Sequence, residues 1–210
     1  MAIELHSLDQ ALSRAKDLAT NSEKRIIIGI IGKPGAGKST LSSHLIKNLP
    51  KETTALVPMD GYHLSNLQLK KLSRADRKGA PDTFDVAGFV NLLKRIATDS
   101  TNDIYFPIFH REIEESIAAE GVVTKETKFI ITEGNYLLHN KDGWQEVAPI
   151  LTESWYVQVD DTLRLERLVN RHIKYGKEPK FAHDWAHGTD ERNAQLVEGT
   201  KQRTSVIVHL

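Results

Sequence analysis

Cysteine is absent from this chain of 210 residues, and neither sign of charge predominates, since 28 Lys and Arg residues balance 28 Asp and Glu residues. Without cysteine, neither a disulfide framework nor a thiolate metal site can form, and a reducing compartment is the natural expectation. A formal net charge of zero provides no general field for nucleic acid or for an anionic membrane. Any binding of anions must therefore be local.

Long apolar segments are lacking too, because no apolar run approaches the ~20 residues of a membrane-spanning helix. The first residues also lack the basic and then apolar pattern of a signal peptide, so we expect a soluble, cytoplasmic protein. No internal repeat, low-complexity tract or proline-rich linker marks a second domain. A length of 210 residues suits one α/β domain, and we predict a single domain over residues 1–210.

A glycine-rich segment at residues 32–39, GKPGAGKS, matches the phosphate-binding pattern G-x-x-x-x-G-K-[ST] at every fixed position. The run before it, residues 25–31, is β-branched and almost wholly apolar, which is typical of a strand buried on both faces of a parallel sheet. After it, apolar residues recur at helical spacing until Pro50 ends the pattern. An incidental glycine-rich turn is the alternative, but the order of strand, loop and helix favours nucleotide binding.

Each part of this phosphate loop suits one part of a nucleotide–magnesium complex. Its glycines let backbone N–H groups turn onto phosphate oxygens at the positive end of a helix dipole. Lys38 is expected to reach the β- and γ-phosphates, and Ser39 to place its hydroxyl on Mg²⁺. The predicted nucleotide-binding residues of the loop are Gly32, Lys33, Pro34, Gly35, Ala36, Gly37, Lys38, Ser39 and Thr40.

Two carboxylates come directly after predicted strands, Asp60 after residues 53–59 and Glu133 after residues 128–132. In open parallel sheets, ligands bind beyond the carboxyl ends of the strands, so both side chains should face the nucleotide. Asp60 is a candidate base, and an aspartate in a turn before glycine is the equal alternative. Glu133 lies where phosphate-loop proteins hold Mg²⁺, although it could also only begin a turn.

A basic stripe is predicted on the helix that Asp160 and Asp161 open, because its cations are spaced by three, four and three residues. They are Arg164, Arg167, Arg171 and Lys174. Such a stripe is usually a solvated helix face, but here it could supply the neutralising charge that a phosphate donor needs. The segment after it contains hinge-like residues and more cations, and we predict a closing lid at about residues 171–188.

Other segments have weaker signals. The polar stretch at residues 64–81 is a solvated face or a substrate lid, and its spacing favours the solvated face. An apolar and aromatic strand predicted at residues 104–109 ends in His110 and Arg111, which are either surface residues or pocket residues. Asn193 could reach the nucleotide base or a lid element. The remaining predicted elements are helices over 8–19, 86–96 and 190–197, the first behind a capping box at 7–10, and strands over 155–159 and 205–208.

Taken together, the motifs resemble the phosphate-loop small-molecule kinases related to uridine kinase, phosphoribulokinase and bacterial pantothenate kinase. The resemblance spans residues 26–208 and implies a three-layer P-loop NTPase fold, with a mainly parallel sheet flanked by helices and a helical lid. The segments that carry it are residues 32–39, 60–63, 78–85, 107–111, 133–138 and 164–176.

The resemblance also implies roles for single residues. Asp60 would accept the proton of the acceptor hydroxyl, and Glu133 would lie near Mg²⁺ or the substrate. We therefore expect a kinase that uses ATP and Mg²⁺, with Lys38, Asp60, Glu133 and Arg171 as catalytic residues. Arg167 is expected to bind nucleotide, and Ser39 and Glu133 to bind the metal. The expected substrate-binding residues are Asp60, Tyr62, His63, His110, Arg111, Glu133 and Tyr136.

The expected substrate is a small metabolite with an alcohol group, most simply a nucleoside or a sugar, with a pantothenate-like acceptor as a third class. Nucleic acid and membrane are not expected partners, and a homodimer is left open. A nucleotide hydrolase or regulatory switch is the alternative function. Its guanine-specific form would need Asn-Lys-x-Asp after a strand, and residues 140–143, NKDG, place the aspartate one position early.

Overall fold

The central element is a six-stranded parallel sheet in a computed structural model that describes residues 2–22 and 24–210. Its strand order is β1-β8-β7-β2-β6-β3. Every residue of β2 is buried, as its continuous apolar sequence predicts for a central parallel strand. The strands of this sheet are β1 (Ile3–Leu5), β2 (Ile26–Ile31), β3 (Thr54–Pro58), β6 (Phe129–Glu133), β7 (Glu153–Gln158) and β8 (Val206–His209).

Helices cover both faces of the sheet. Because side chains alternate along a strand, Ile28 faces a core with α1 and α2, while Ile27 faces a core with α4. This arrangement confirms the predicted fold, in which helices flank a mainly parallel sheet. The helices are α1 (Leu8–Thr20), α2 (Lys38–Asn48), α3 (Asn66–Lys71), α4 (Val86–Thr98), α5 (Asp161–Lys174), α6 (Pro179–Trp185) and α7 (Glu191–Glu198), with a π-helical turn at Ala186–Asp190.

Local signals fix several of these boundaries. Ser7 caps α1 by accepting a hydrogen bond from the backbone N–H of Gln10, which is one half of the predicted capping box. The Gln10 side chain accepts its bond from the N–H of His6, one residue before the cap. Asp85 caps α4 through the N–H of Gly88. Pro58 ends β3, which is an edge strand, as expected of a proline in a sheet. Among the described residues, no helix is both long and apolar enough to cross a membrane.

Two strands lie outside the sequence predictions. Strand β1 precedes α1 and pairs with β8. The sequence predicts a helix as the first element, because three residues are too few for a strand pattern. Strand β5 (Glu115–Val123) pairs antiparallel with β4 (Ile104–His110) in a separate hairpin. A register shift and the positive φ of Ala119, +60°, interrupt the alternation by which a strand is recognised.

The topology brings three predicted site segments to one edge of the sheet. Strands β2, β6 and β3 are neighbours and parallel, so their carboxyl ends meet. These ends lead into the phosphate loop, Glu133 and the 3₁₀ turn Met59–Tyr62, which contains Asp60. Residues that are far apart in the chain are therefore collected in one place, as expected for ligand sites of open α/β sheets.

Candidate functional site

The phosphate loop adopts a conformation that requires glycine at two positions. Gly35 and Gly37 have φ angles of +83° and +96°, which lie in the left-handed region that favours glycine. A Cβ on Gly35 would lie 2.6 Å from the carbonyl oxygen of Arg164, so α5 packs directly on the loop. Gly37 is also the N-cap of α2. The loop thus ends at a helix N-terminus, where backbone N–H groups and the helix dipole favour an anion.

The side chain of Lys38 is held by three oxygen atoms of the protein. Its ammonium nitrogen donates to the carbonyl oxygens of Gly32 at 2.8 Å and of Lys33 at 3.3 Å, and to Oδ1 of Asn135 at 2.7 Å. Burial lowers the pKa of Lys38 to about 8, an effect that Glu133 opposes and Arg171 reinforces. Because an ammonium has three donors, a phosphate oxygen must replace one of these acceptors.

Glu133 lies between two hydroxyl groups of α2. Ser39 Oγ is 3.1 Å from its Oε1, and the buried Ser42 donates to its Oε2 at 2.7 Å. Hydroxyl and carboxylate oxygens are the ligand type that Mg²⁺ prefers, and Mg²⁺ usually takes its other ligands from phosphates and water. The pair Ser39 and Glu133 therefore fits such an ion. Among the described residues, no group of three or more His, Cys, Asp or Glu could hold a metal by itself.

Asp60 lies in a cluster of positive charges. Its Oδ2 accepts a hydrogen bond of 2.9 Å from Nη2 of Arg111. Burial alone would raise the pKa of the Asp60 carboxyl, but the positive charges of His63, Arg111, Lys38 and Arg171 outweigh it and hold the pKa below its usual value. Because burial lowers the pKa of His63 itself, the cations that act at neutral pH are Arg111, Lys38 and Arg171. Asp60 is thus an ionised hydrogen-bond acceptor beside the phosphate-loop lysine.

The predicted basic stripe on α5 divides into structural and site-facing arginines. Arg164 is buried with a side chain 1% exposed, and it pairs with Asp161 at 2.7 Å and with Glu191 at 2.5 Å. Arg167 lies against the phosphate loop, since its Nη1 would be 3.7 Å from a Cβ built on Gly37. Burial lowers the pKa of Arg171, and Arg111 lowers it further.

Among the described residues, neither Arg167 nor Arg171 has a carboxylate within ion-pair distance, in contrast to Arg164. Lys33 is also neutralised within the protein, because its ammonium lies 2.6 Å from Asp161 Oδ1. The Lys33 side chain is therefore directed to α5, and only its carbonyl contacts Lys38. Two guanidinium groups on one turn of helix remain for an external anion, which is the arrangement that a phosphate donor needs.

The predicted substrate-binding residues do not all lie together. His63 accompanies Asp60, since its Nδ1 lies 2.8 Å from the Asp60 carbonyl oxygen. Tyr62 packs on Phe89, with ring centroids 5.5 Å apart. Tyr136 is buried and donates its hydroxyl to the carbonyl of Gly79. Both tyrosines therefore make packing contacts within the protein, and their part in substrate binding stays a prediction.

His110 points to a different partner from Arg111. Its Nε2 lies 2.6 Å from Oε2 of Glu120 on β5, whereas the next residue, Arg111, contacts Asp60. His110 is the last residue of β4, whereas Arg111 lies in the turn that follows, so the two side chains have different surroundings. The side chain of Asn193 is buried and reaches the carbonyl of Gly79 at 3.4 Å.

Two contacts of the site lie outside the sequence prediction. Ser42 is three residues after Ser39, so helical spacing alone indicates that it shares the face that meets Glu133. Asn135 lies two residues beyond Glu133, and its contact with Lys38 depends on how the chain turns after β6. Helical spacing could have identified the first contact, whereas no local pattern identifies the second.

No family model matches the chain, but comparison with known proteins finds relatives that are named as kinases. A Schizosaccharomyces pombe protein provisionally named a uridine kinase is 30% identical over 183 residues, which cover 83% of this chain and 77% of that protein. An ATP-dependent kinase-like protein of Aspergillus versicolor is 34% identical over 131 residues, covering 59% of this chain and 76% of its own. The crystal structure of a provisionally named fructose transport system kinase from Silicibacter sp. TM1040 has 32% identity and a TM-score of 0.81, and covers 97% and 98% of the two chains.

Proposed function

Since the chain belongs to the P-loop kinases related to uridine kinase and is a small-molecule kinase, we propose that it transfers the γ-phosphoryl group of ATP to an alcohol group of a small metabolite. The observation that carries this proposal is the position of Asp60, an ionised carboxylate beside Lys38 and Arg171 at the end of β3. A hydrolase has no need of a carboxylate that orients an acceptor alcohol. Nucleosides, sugars and pantothenate-like alcohols all carry the required hydroxyl group.

In the proposed reaction, the acceptor oxygen forms a bond to the γ-phosphorus while the bond from that phosphorus to the β,γ-bridging oxygen breaks. The bridging oxygen leaves on ADP with the electron pair, and the proton of the acceptor hydroxyl passes to Asp60. Arg111 occupies Oδ2 of Asp60, which leaves Oδ1 for the hydroxyl. A fixed carboxylate aligns the incoming oxygen, and alignment supplies much of the catalysis in phosphoryl transfer.

The other proposed roles concern the negative charge of the donor. The loop amides, Lys38 and Arg167 bind the phosphates, and Arg171 neutralises charge on the transferred group. Ser39 and Glu133 would hold Mg²⁺, which would offset the negative charge of the phosphates. The proposal includes one kinase domain over residues 1–210 with a lid at about 171–188. Gly176, with a φ of +89°, lies within this segment, in the turn between α5 and α6.

The proposal is tested by measuring ADP formation from ATP and Mg²⁺ over a panel of nucleosides, ketose and aldose sugars, hydroxy acids and pantothenate. We expect one class of alcohol to stimulate ADP formation and to appear as its phosphate ester. Equal ADP formation with and without every alcohol would indicate a hydrolase and contradict the proposal.

A further inference from the structure

The aromatic side chains around Asp60 are already packed against one another. The ring of His63 lies between Phe84 and Phe109, at centroid distances of 4.1 Å and 4.6 Å. Tyr62 and Tyr136 pack on Phe89 and on Trp144. A nucleobase is usually bound by stacking on an aromatic face. Each of these rings has a partner in the protein, so the surroundings of Asp60 do not resemble a base-stacking site.

Two cations, Lys78 and Arg111, border the region around Asp60. Phe109 has the ammonium of Lys78 5.2 Å and the guanidinium carbon of Arg111 6.0 Å from its ring centroid. Both cations thus flank a single ring, within the span of one small metabolite. Arg111 uses one N–H on Asp60, and among the described residues its other four N–H donors have no hydrogen-bond acceptor.

Lys78 is held in place by neutral oxygens and by one exposed carboxylate. It donates to Oδ1 of Asn66 at 2.8 Å and to the carbonyl of Glu114, and its side chain is only 14% exposed. The carboxylate of Glu114 lies 3.3 Å away but is 50% exposed. Such a half-exposed pair contributes little stability, so a ligand anion can replace Glu114 at low cost. The site therefore has a cation positioned beside the place where the acceptor must lie.

We infer that the acceptor is an anionic alcohol, a small molecule with a carboxylate or phosphate group besides its reactive hydroxyl, and that Lys78 and Arg111 bind this group. The inference rests on the proposed function, because the place of the hydroxyl is fixed by Asp60. Neither cation contacts the transferred phosphate in this arrangement. Their role is to select the acceptor, and a charged hydrogen bond of this kind corresponds to about 10- to 100-fold in affinity.

The test uses the full chain saturated with Mg²⁺ and a non-hydrolysable ATP analogue, and measures its melting temperature. The probes share a skeleton and differ in charge: glycerol, glycerate and glycerol 3-phosphate, then pantothenol and pantothenate. We expect at least one anion to raise the melting temperature beyond the effect of its neutral counterpart, and the same anion to be phosphorylated when ATP replaces the analogue. The carboxylate and phosphate probes distinguish the two kinds of anion.

Substitutions of Lys78 test whether this residue causes the preference for anions. In Lys78→Gln we expect the affinity for the anion to fall about 10- to 100-fold, while Lys78→Arg preserves much of it. Lys71→Gln, which removes an exposed lysine of α3, should behave as the unchanged protein. If Lys78→Gln lowers the melting temperature of the free protein but leaves the preference for anions unchanged, Lys78 only stabilises the fold through its contacts with Asn66 and Glu114. The inference is then wrong.

The experiment distinguishes a failure of the proposed function from a failure of the inference about the anionic acceptor. If the ATP analogue itself does not stabilise the chain, the proposed function fails and the inference falls with it. If the analogue stabilises the chain but no anion exceeds its neutral counterpart, the kinase assignment stands and the anionic acceptor is rejected.

Discussion

The hydroxyl of Ser42 donates a 2.7 Å hydrogen bond to Oε2 of Glu133, and this contact turns the other carboxylate oxygen toward Ser39. Ser42 is buried on α2, one turn beyond the phosphate loop. It therefore positions a proposed magnesium ligand without contacting the metal. Hydrogen bonds of this kind orient ligands and tune metal affinity.

Replacing Ser42 by alanine should weaken magnesium binding by about 10- to 100-fold, because Glu133 loses the bond that orients it. The measurement is the affinity for ADP with and without Mg²⁺, whose ratio reports the contribution of the metal. We expect this ratio to fall in Ser42→Ala, while the affinity without metal is unchanged. Ser43→Ala, on the exposed side of the same helix, is the matched control. An unchanged ratio in Ser42→Ala would show that Ser42 only packs.

Nucleotide binding should take up a proton near pH 8. The pKa of Lys38 is lowered to about 8, by burial first and then by Arg171, and bound phosphates would raise it again. At pH 7 the ammonium is charged in both states, so no proton is exchanged at this group. As pH rises through 8 the free protein loses the charge, and affinity for ADP should fall.

Calorimetric titration in buffers of different ionisation enthalpy measures this uptake at pH 7 and pH 8.5. We expect uptake only at the higher pH, and none in Lys38→Arg, whose guanidinium stays charged. Equal proton exchange at both values would contradict the assignment to Lys38.

Two arginines on one face of α5 should give opposite phenotypes. Arg164→Ala removes a buried cation that pairs with Asp161 and Glu191, and it should lower the free energy of unfolding by about 3 kcal/mol. Arg171→Ala should leave unfolding by urea almost unchanged but lower kcat by about 10³-fold or more, since it removes charge compensation for the transferred group. Loss of stability in Arg171→Ala, with full activity retained, would reverse this assignment.

The sequence predicts much of the architecture because the relevant signals are local. The apolar run of β2, the fixed spacing of the phosphate loop and the cap of α4 each depend on neighbouring residues. Asp60 and Glu133 are also found in this way, since parallel strands bring the residues at their carboxyl ends to one edge of the sheet. The prediction of one domain and of a cytoplasmic location rests on composition alone and stays a prediction.

Long-range contacts explain what sequence analysis does not predict. Helical spacing places Arg164 and Arg171 in one stripe, but it does not reveal that Glu191 of a distant helix neutralises the first. His110 is predicted beside Arg111, yet its side chain contacts Glu120 of the paired strand β5. The contact between Asn135 and Lys38 likewise joins residues 97 positions apart, which no local pattern encodes.

The substitution Asp60→Asn removes the carboxylate that we propose aligns and deprotonates the acceptor. We would measure kcat for ADP formation with the most effective acceptor, and the dissociation constant of the ATP analogue in the same preparation, with Asp76→Asn, which alters an exposed aspartate, as the control. We expect kcat to fall about 10²- to 10⁴-fold while nucleotide affinity stays within about twofold, because the phosphate loop is intact. An unchanged kcat in Asp60→Asn would contradict this role of Asp60.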